Sequence, residues 1–228
     1  DTTESRGLGD VYKRQRMNDA EIPSLDELFD DLTNHPSPRI QEQASWVMVD
    51  HYPAESMPRL IDLIENPDPI IYRAAVKALG LFGLDALDPL CSKYRSSSNP
   101  TVRACCIKAF VQVSAKHPDE VFTDNAMKVL EDGLSDDDPV VSQSAVMAIA
   151  QVGKQSATRA EALPLLLKVS RGNNTAHAIS AIMALGEIKN IDANNALQDL
   201  INDSALDPII SEIAKSSLER SQMQRPKS

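Results

Sequence analysis

A proline that opens an Ala-rich apolar stretch returns at Pro38, Pro69, Pro100, Pro139 and Pro208, with Thr175 filling the equivalent place in the fifth stretch. The intervals are 31, 31, 39, 36 and 33 residues. Repetition at this period is the strongest constraint on the fold, because units of this size stack side by side into an array and do not wrap round one centre. Proline suits the first helical position, where its missing N–H has no intrahelical partner, and an Asp or Asn just before it caps the helix. Asn66-Pro67-Asp68-Pro69 and Ser135-Asp136-Asp137-Asp138-Pro139 are such starts.

Inside the stretches the register holds residue by residue. Two positions after each start stand Ile40, Ile71, Val102, Val141, His177 and Ile210; six after it stand Ala44, Ala75, Cys106, Ala145, Ala181 and Ala214; ten after it stand Met48, Leu79, Phe110, Ile149, Leu185 and Leu218. Residues four apart share a helix face, so these form a buried stripe, and the small side chain in its middle lets two helices approach closely. Pro58, Pro89 and Pro164 each lie eleven residues before the next start and mark a preceding helix, which such a proline bends. The pattern predicts an all-α chain, an α-solenoid of about six antiparallel helix pairs over 24–51, 55–82, 84–115, 121–153, 158–188 and 192–222.

Composition agrees with helices meeting through small and aliphatic side chains, since 42% of residues are hydrophobic and only 4% aromatic. With 23 Lys and Arg against 33 Asp and Glu the net charge is −10, which repels nucleic acid and anionic lipid. No stretch has the roughly 18 consecutive apolar residues of a membrane span, and no signal segment is evident, which predicts a cytoplasmic protein. Three cysteines fit a reducing compartment better than a disulfide scaffold.

The ends stand apart from the repeat. Asp10-Val11-Tyr12-Lys13-Arg14-Gln15 resembles a translated sequencing-adapter tail, so residues 1–16 are expected to be a non-native or disordered leader, with the native chain starting at Met17 and a short lead-in over 17–23. Without that leader 19 bases face 30 acids, a charge nearer −11. The polar stretch Arg220 to Ser228 reads as a frayed end, with 223–228 disordered.

The strings Asp68-Pro69-Ile70-Ile71-Tyr72-Arg73-Ala74-Ala75-Val76-Lys77-Ala78-Leu79-Gly80 and Pro100-Thr101-Val102-Arg103-Ala104-Cys105-Cys106-Ile107-Lys108-Ala109-Phe110 resemble the second helices of HEAT repeats. The resemblance covers residues 24–220 and points to the cyanobacterial phycobilisome-lyase-like branch, whose E/F-type members attach or remove bilins as pairs of chains and whose other members act as chaperones or accompany an iron-sulfur carrier. It implies a protein-binding scaffold that assists bilin attachment to a phycobiliprotein subunit or chaperones one, with that subunit or a second lyase-like chain as partner and a bilin held only transiently. An adaptor for an iron-sulfur cluster carrier and a generic HEAT scaffold stand as alternatives. Any catalysis would be shared with another chain.

In a stack of pairs the second helices line one surface, and their remaining positions project into a groove. Three, four and eight after each start come Gln41, Glu42 and Trp46, then Tyr72, Arg73 and Lys77, then Arg103, Ala104 and Lys108, whereas later units place Met147 and Met183 there. Trp46, Tyr72, Arg73, Lys77, Arg103 and Lys108 therefore form a candidate cationic, aromatic-flanked patch on an acidic protein, suited to a bilin's propionates or an acidic protein. Two plainer roles remain open: arginine in this register also pairs with acids of the next unit, and Trp46 also suits a core.

No catalytic set stands out. Cys105 and Cys106 are a candidate thiol site, but adjacent helical residues point about 100° apart and cannot easily grip one ion, so packing is the simpler role for them and for Cys91. Cys105 would be the reactive thiol if one exists. His177 replaces Ile or Val on an apolar face, His35, His51 and His117 fall at helix ends or in loops, and no Gly-rich phosphate loop occurs. Asp136 to Asp138 read as a turn carrying capping charge, lacking the alternation of a calcium loop.

Overall fold

A computed structural model of the chain describes residues 22–155, 157–188 and 190–223. The expected leader over 1–16 and most of the lead-in and tail lie outside these residues. The described residues fold into helices α1 (Leu25–Asn34), α2 (Pro38–His51), α3 (Pro53–Leu63), α4 (Pro69–Leu79), α5 (Leu87–Ser96), α6 (Pro100–Lys116), α7 (Asp124–Leu134), α8 (Pro139–Lys154), α9 (Arg159–Ser170), α10 (Thr175–Glu187), α11 (Ile191–Asn202) and α12 (Pro208–Met223), with a 3₁₀ segment Gly80–Ala86 between α4 and α5. Six antiparallel pairs follow one another, and each second helix begins at its predicted residue.

Side chains ahead of these starts satisfy the orphan N–H groups. Asp68 accepts from Ile70, Asn99 from Thr101, Asp138 from Val140 and Val141, Asn174 from His177 and Asp207 from Ile209. Ser37, before Pro38, makes no such bond. The middle of the predicted stripe is buried in every unit, from Ala44 to Ala214, and Met48, Leu79, Phe110, Ile149 and Leu185 beside it are closed to solvent. Leu218 is half-buried against the same core. The second helices pack on one another along the stack more intimately than the first helices do. In a curved stack the tighter layer is the inner one, so the second helices form the inner face.

The second pair departs from expectation. Its second helix was expected to run to residue 82 but ends at Leu79, where the chain tightens into the 3₁₀ segment. Gly83 there has φ 61°, a backbone conformation that L side chains rarely adopt, with the His117 ring and Glu120 carboxylate beside its Cα. Gly80 lies directly against α6: a β-carbon on it would come within 3.0 Å of the Gln112 carbonyl carbon. Pro58 and Pro164 lie inside α3 and α9, whereas Pro89 sits in the first turn of α5 and interrupts nothing.

Candidate functional site

On every second helix the residue eight after the start is exposed: Trp46, Lys77, Lys108, Met147, Met183 and Ser216. The stripe, buried in every unit at position six and in half of them at position two, places this position on the opposite flank, and the residue seven before it, two turns back on the same face, is exposed as well. Ile70, Val140 and Ile209 occupy that earlier position and are 63%, 55% and 52% exposed. At the eighth position the row is basic in the second and third units, apolar in the fourth and fifth, and ends on Trp46 and Ser216.

Of the six residues expected to form the cationic patch, four project freely. Trp46 is 44% exposed and is therefore not a core residue. Arg73, Lys77 and Lys108 are exposed and pair with no carboxylate among the described residues. Tyr72 is half-buried against the core, with the Arg73 guanidinium 6.0 Å from its ring centre.

Arg103 has to be corrected out of the patch. Its Nε donates to Asp136 Oδ2 at 2.8 Å and its Nη2 to Asp136 Oδ1 at 2.9 Å, while Nη1 reaches the Ser97 and Ser98 carbonyls. Tyr94 Oη donates to the same carboxylate at 3.4 Å. The Arg103 fork holds the Asp136 carboxyl below the ordinary carboxylate range, and burial together with that carboxylate pushes the Tyr94 hydroxyl up to about 12. Arg103 ties the third unit to the fourth, so of the acidic run Asp136 clamps and Asp138 caps.

The cysteines lie as the simpler packing role requires, and the alternative of an exposed thiol site at Cys105 and Cys106 is not met. Cys91, Cys105 and Cys106 are all buried. Desolvation raises the Cys91 thiol to about 11 and the Cys106 thiol to about 12, and it raises Cys105 despite the opposing fields of Lys108 and Arg73. These are packing residues. Arg73 and Lys108 stand on α4 and α6, which pack against each other.

A feature with no signature in any one unit is a cleft of about 170 Å3 lined by Gln41, Glu42, Lys77, Gln112 and Lys116. Lys116 Nζ bridges to Glu42 Oε1 at 2.8 Å, joining the first unit to the third across the shortened second. Among the described residues no three His, Cys, Asp or Glu side chains converge to hold a metal ion, and no helix is long and apolar enough to cross a membrane.

Residues 25–110 and 127–219 match the family model for HEAT repeats, which sets the class of the protein. The chain is 43% identical over 175 residues to Bilin biosynthesis protein CpeZ of Synechococcus sp. (strain WH8020), covering 77% of this chain and 94% of that one. It is 34% identical over 201 residues to the phycocyanin operon protein Z of Pseudanabaena tenuis (strain PCC 7409), covering 88% and 96%. The chain belongs to the HEAT-repeat family, in the phycobilisome-lyase-like group that holds these two relatives. A looser likeness joins it to the complex of CpcE and CpcF of phycocyanin lyase from Nostoc sp. PCC7120, at 17% identity, TM-score 0.35 and coverage of 86% and 81%.

Proposed function

We propose that this chain assists the attachment of bilins to a phycobiliprotein by holding a protein partner, the phycobiliprotein subunit or a second lyase-like chain, along its inner face. The relatives' names, with their reference to bilin biosynthesis and a phycocyanin operon, support the setting. The observation that carries the role is the unspent charge on the groove: Arg73, Lys77 and Lys108 are exposed on the packed helices α4 and α6 and have no carboxylate partner among the described residues, on a protein of net charge −10. Cations left without partners among so many carboxylates favour an anionic partner by attraction and steering.

A bilin fits this surface in one respect only. Its carboxylates suit Arg73, Lys77 and Lys108, but a cleft of about 170 Å3 is smaller than the usual range for ligand sites, and buried cysteines offer no thiolate to carry it covalently. The chain therefore presents a partner or shields a bilin against it, while the bond to the bilin is made on the other protein. The burial of Cys105 and Cys106 also removes the support for an iron-sulfur adaptor, which relied on exposed thiols.

The test mixes the purified chain with an apo-phycobiliprotein subunit, its bilin and a lyase, and follows covalent bilin by its fluorescence after denaturing electrophoresis. Faster or more complete attachment with the chain present, together with co-elution of chain and subunit or of chain and lyase, is the expected result. Identical yields and no co-elution would reject the proposal.

A further inference from the structure

At the position eight after each start the anchors are sorted along the stack, Lys77 and Lys108 followed by Met147 and Met183, with Trp46 and Ser216 at the two ends. Ion pairs hold Lys116 to Glu42, Arg103 to Asp136 and Lys154 to Glu187, whereas Arg73, Lys77 and Lys108, which share the packed helices α4 and α6, have no carboxylate partner among the described residues, as is also true of Arg95, Arg171 and Lys215 elsewhere. From α8 onward the same register holds Val140, Met147, Met183 and Ile209, all at least 41% exposed. Six of the ten exposed large hydrophobic residues, these four with Trp46 and Ile70, fall on just two positions of the second helix. Exposed apolar side chains scattered at random need no explanation, but a row on one face marks a surface that is covered.

We infer that this face takes an amphipathic helix of the protein partner with a fixed polarity, its acidic end over Arg73, Lys77 and Lys108 and its apolar end over Met147 and Met183. The inference rests on the reading that a protein partner lies along the groove, and it adds which kind of segment lies there and which way round. Spacing supports a helix. Neighbouring packed helices lie about 8–10 Å apart, so anchors recur at about that interval, close to the roughly 10.5 Å between residues seven apart on a helix. Three such steps from α4 to α10 come to about 30 Å, the length of a helix of about 20 residues. Methionine suits the apolar half, because its unbranched side chain adapts to whatever shape arrives, while the cations set orientation and exclude a segment with its acids at the wrong end.

Trp46, the single tryptophan, stands beside the basic end and reports on it. The probe is a synthetic helical peptide of about 20 residues with Glu on its contact face in one half and Leu in the other. It is made with a dansyl acceptor at either end, alongside a twin of equal composition with the two residue types interspersed. Expected are binding of the sorted peptide with a gain in helical circular dichroism and strong quenching of Trp46 by the acidic-end label but not the apolar-end label. A loss of affinity of about tenfold or more is expected in Lys77→Glu/Lys108→Glu and in Met147→Asp/Met183→Asp. All four positions are exposed, so both variants should melt like the parent chain. Absence of binding, equal binding of the interspersed twin, equal quenching from both ends, or binding without gain of helix overturns the inference, the last in favour of an extended segment. Sedimentation of the chain alone tests a second copy as occupant, and a dimer abolished by Lys77→Glu/Lys108→Glu would also overturn it. If the peptides fail while the chain still promotes bilin attachment, only this inference falls.

Discussion

At the residue scale, the most telling side chain is Arg103. Its position in the repeat is the same as that of Tyr72 and one before that of Arg73, yet it is spent inside the protein, because the turn entering α8 presents Asp136 at the right height for a two-toothed grip. Asp136→Asn should cost about 2–3 kcal/mol, since it leaves a largely desolvated guanidinium without its anion. The pH dependence follows from the direction of the shift. The carboxyl titrates lower in the folded chain than in the unfolded one, near 3.9, so the unfolded state takes up the proton first. The pair's contribution is then complete above about pH 4 and is lost as pH falls through the folded value. Urea unfolding at pH 7 and pH 3 should show the gap between parent and variant closing at acid pH, and a gap of constant size would contradict this account. The sequence left Arg103 open between ligand and structural partner because a pair 33 residues apart depends on how one unit is set against the next.

At the element scale, the starts of the second helices were legible to the residue and their ends to within one residue, with α4 the exception. A cap is a local device: Pro at the first position and Asp or Asn ahead of it act within a few residues, so Asp68, Asn99, Asp138 and Asn174 bond where the sequence places them. Asp138→Ala should therefore destabilise the chain by about 1 kcal/mol, whereas Ser37→Ala, whose hydroxyl caps nothing, should cost close to zero. Paired chemical-denaturation curves check this, and equal losses would mean that the caps are not what fixes these starts. Where α4 stops is a different kind of question. The segment after Leu79 is apolar enough to continue a helix, but Gly80 must meet α6 at Gln112 and Gly83 must adopt a positive φ beside His117, whose ring nitrogen Nε2 lies 3.3 Å from the Leu81 carbonyl oxygen. Those demands come from the neighbouring unit.

At the scale of the whole molecule, a stack has no single centre, and stability is passed from unit to unit through shared faces. Phe110 is the point where this is most concentrated: it is fully buried on α6 and meets Phe122, at the approach to α7, edge to face with ring centres 6.0 Å apart. Phe110→Ala should cost about 3–5 kcal/mol and weaken the array at its middle. A loss below about 1 kcal/mol in chemical denaturation would show that the units stand more independently than a shared core allows. The groove is also a property of the whole molecule. Each unit supplies one anchor, and only their alignment along the inner face turns Lys77, Lys108, Met147 and Met183 into a graded surface.

The repeat by itself determined that the chain is helical, how many pairs it holds, where each second helix begins and which residues fill its core, because periodicity and capping act within one unit and are written in neighbouring residues. The tertiary structure alone decided which cations remain unspent among the described residues, that both adjacent thiols are sealed off, and that Lys116 and Glu42 link the third unit to the first beside a cleft. Those outcomes depend on distances between residues far apart in the chain, and a repeat pattern carries no record of how one unit's surface charges meet those of the next.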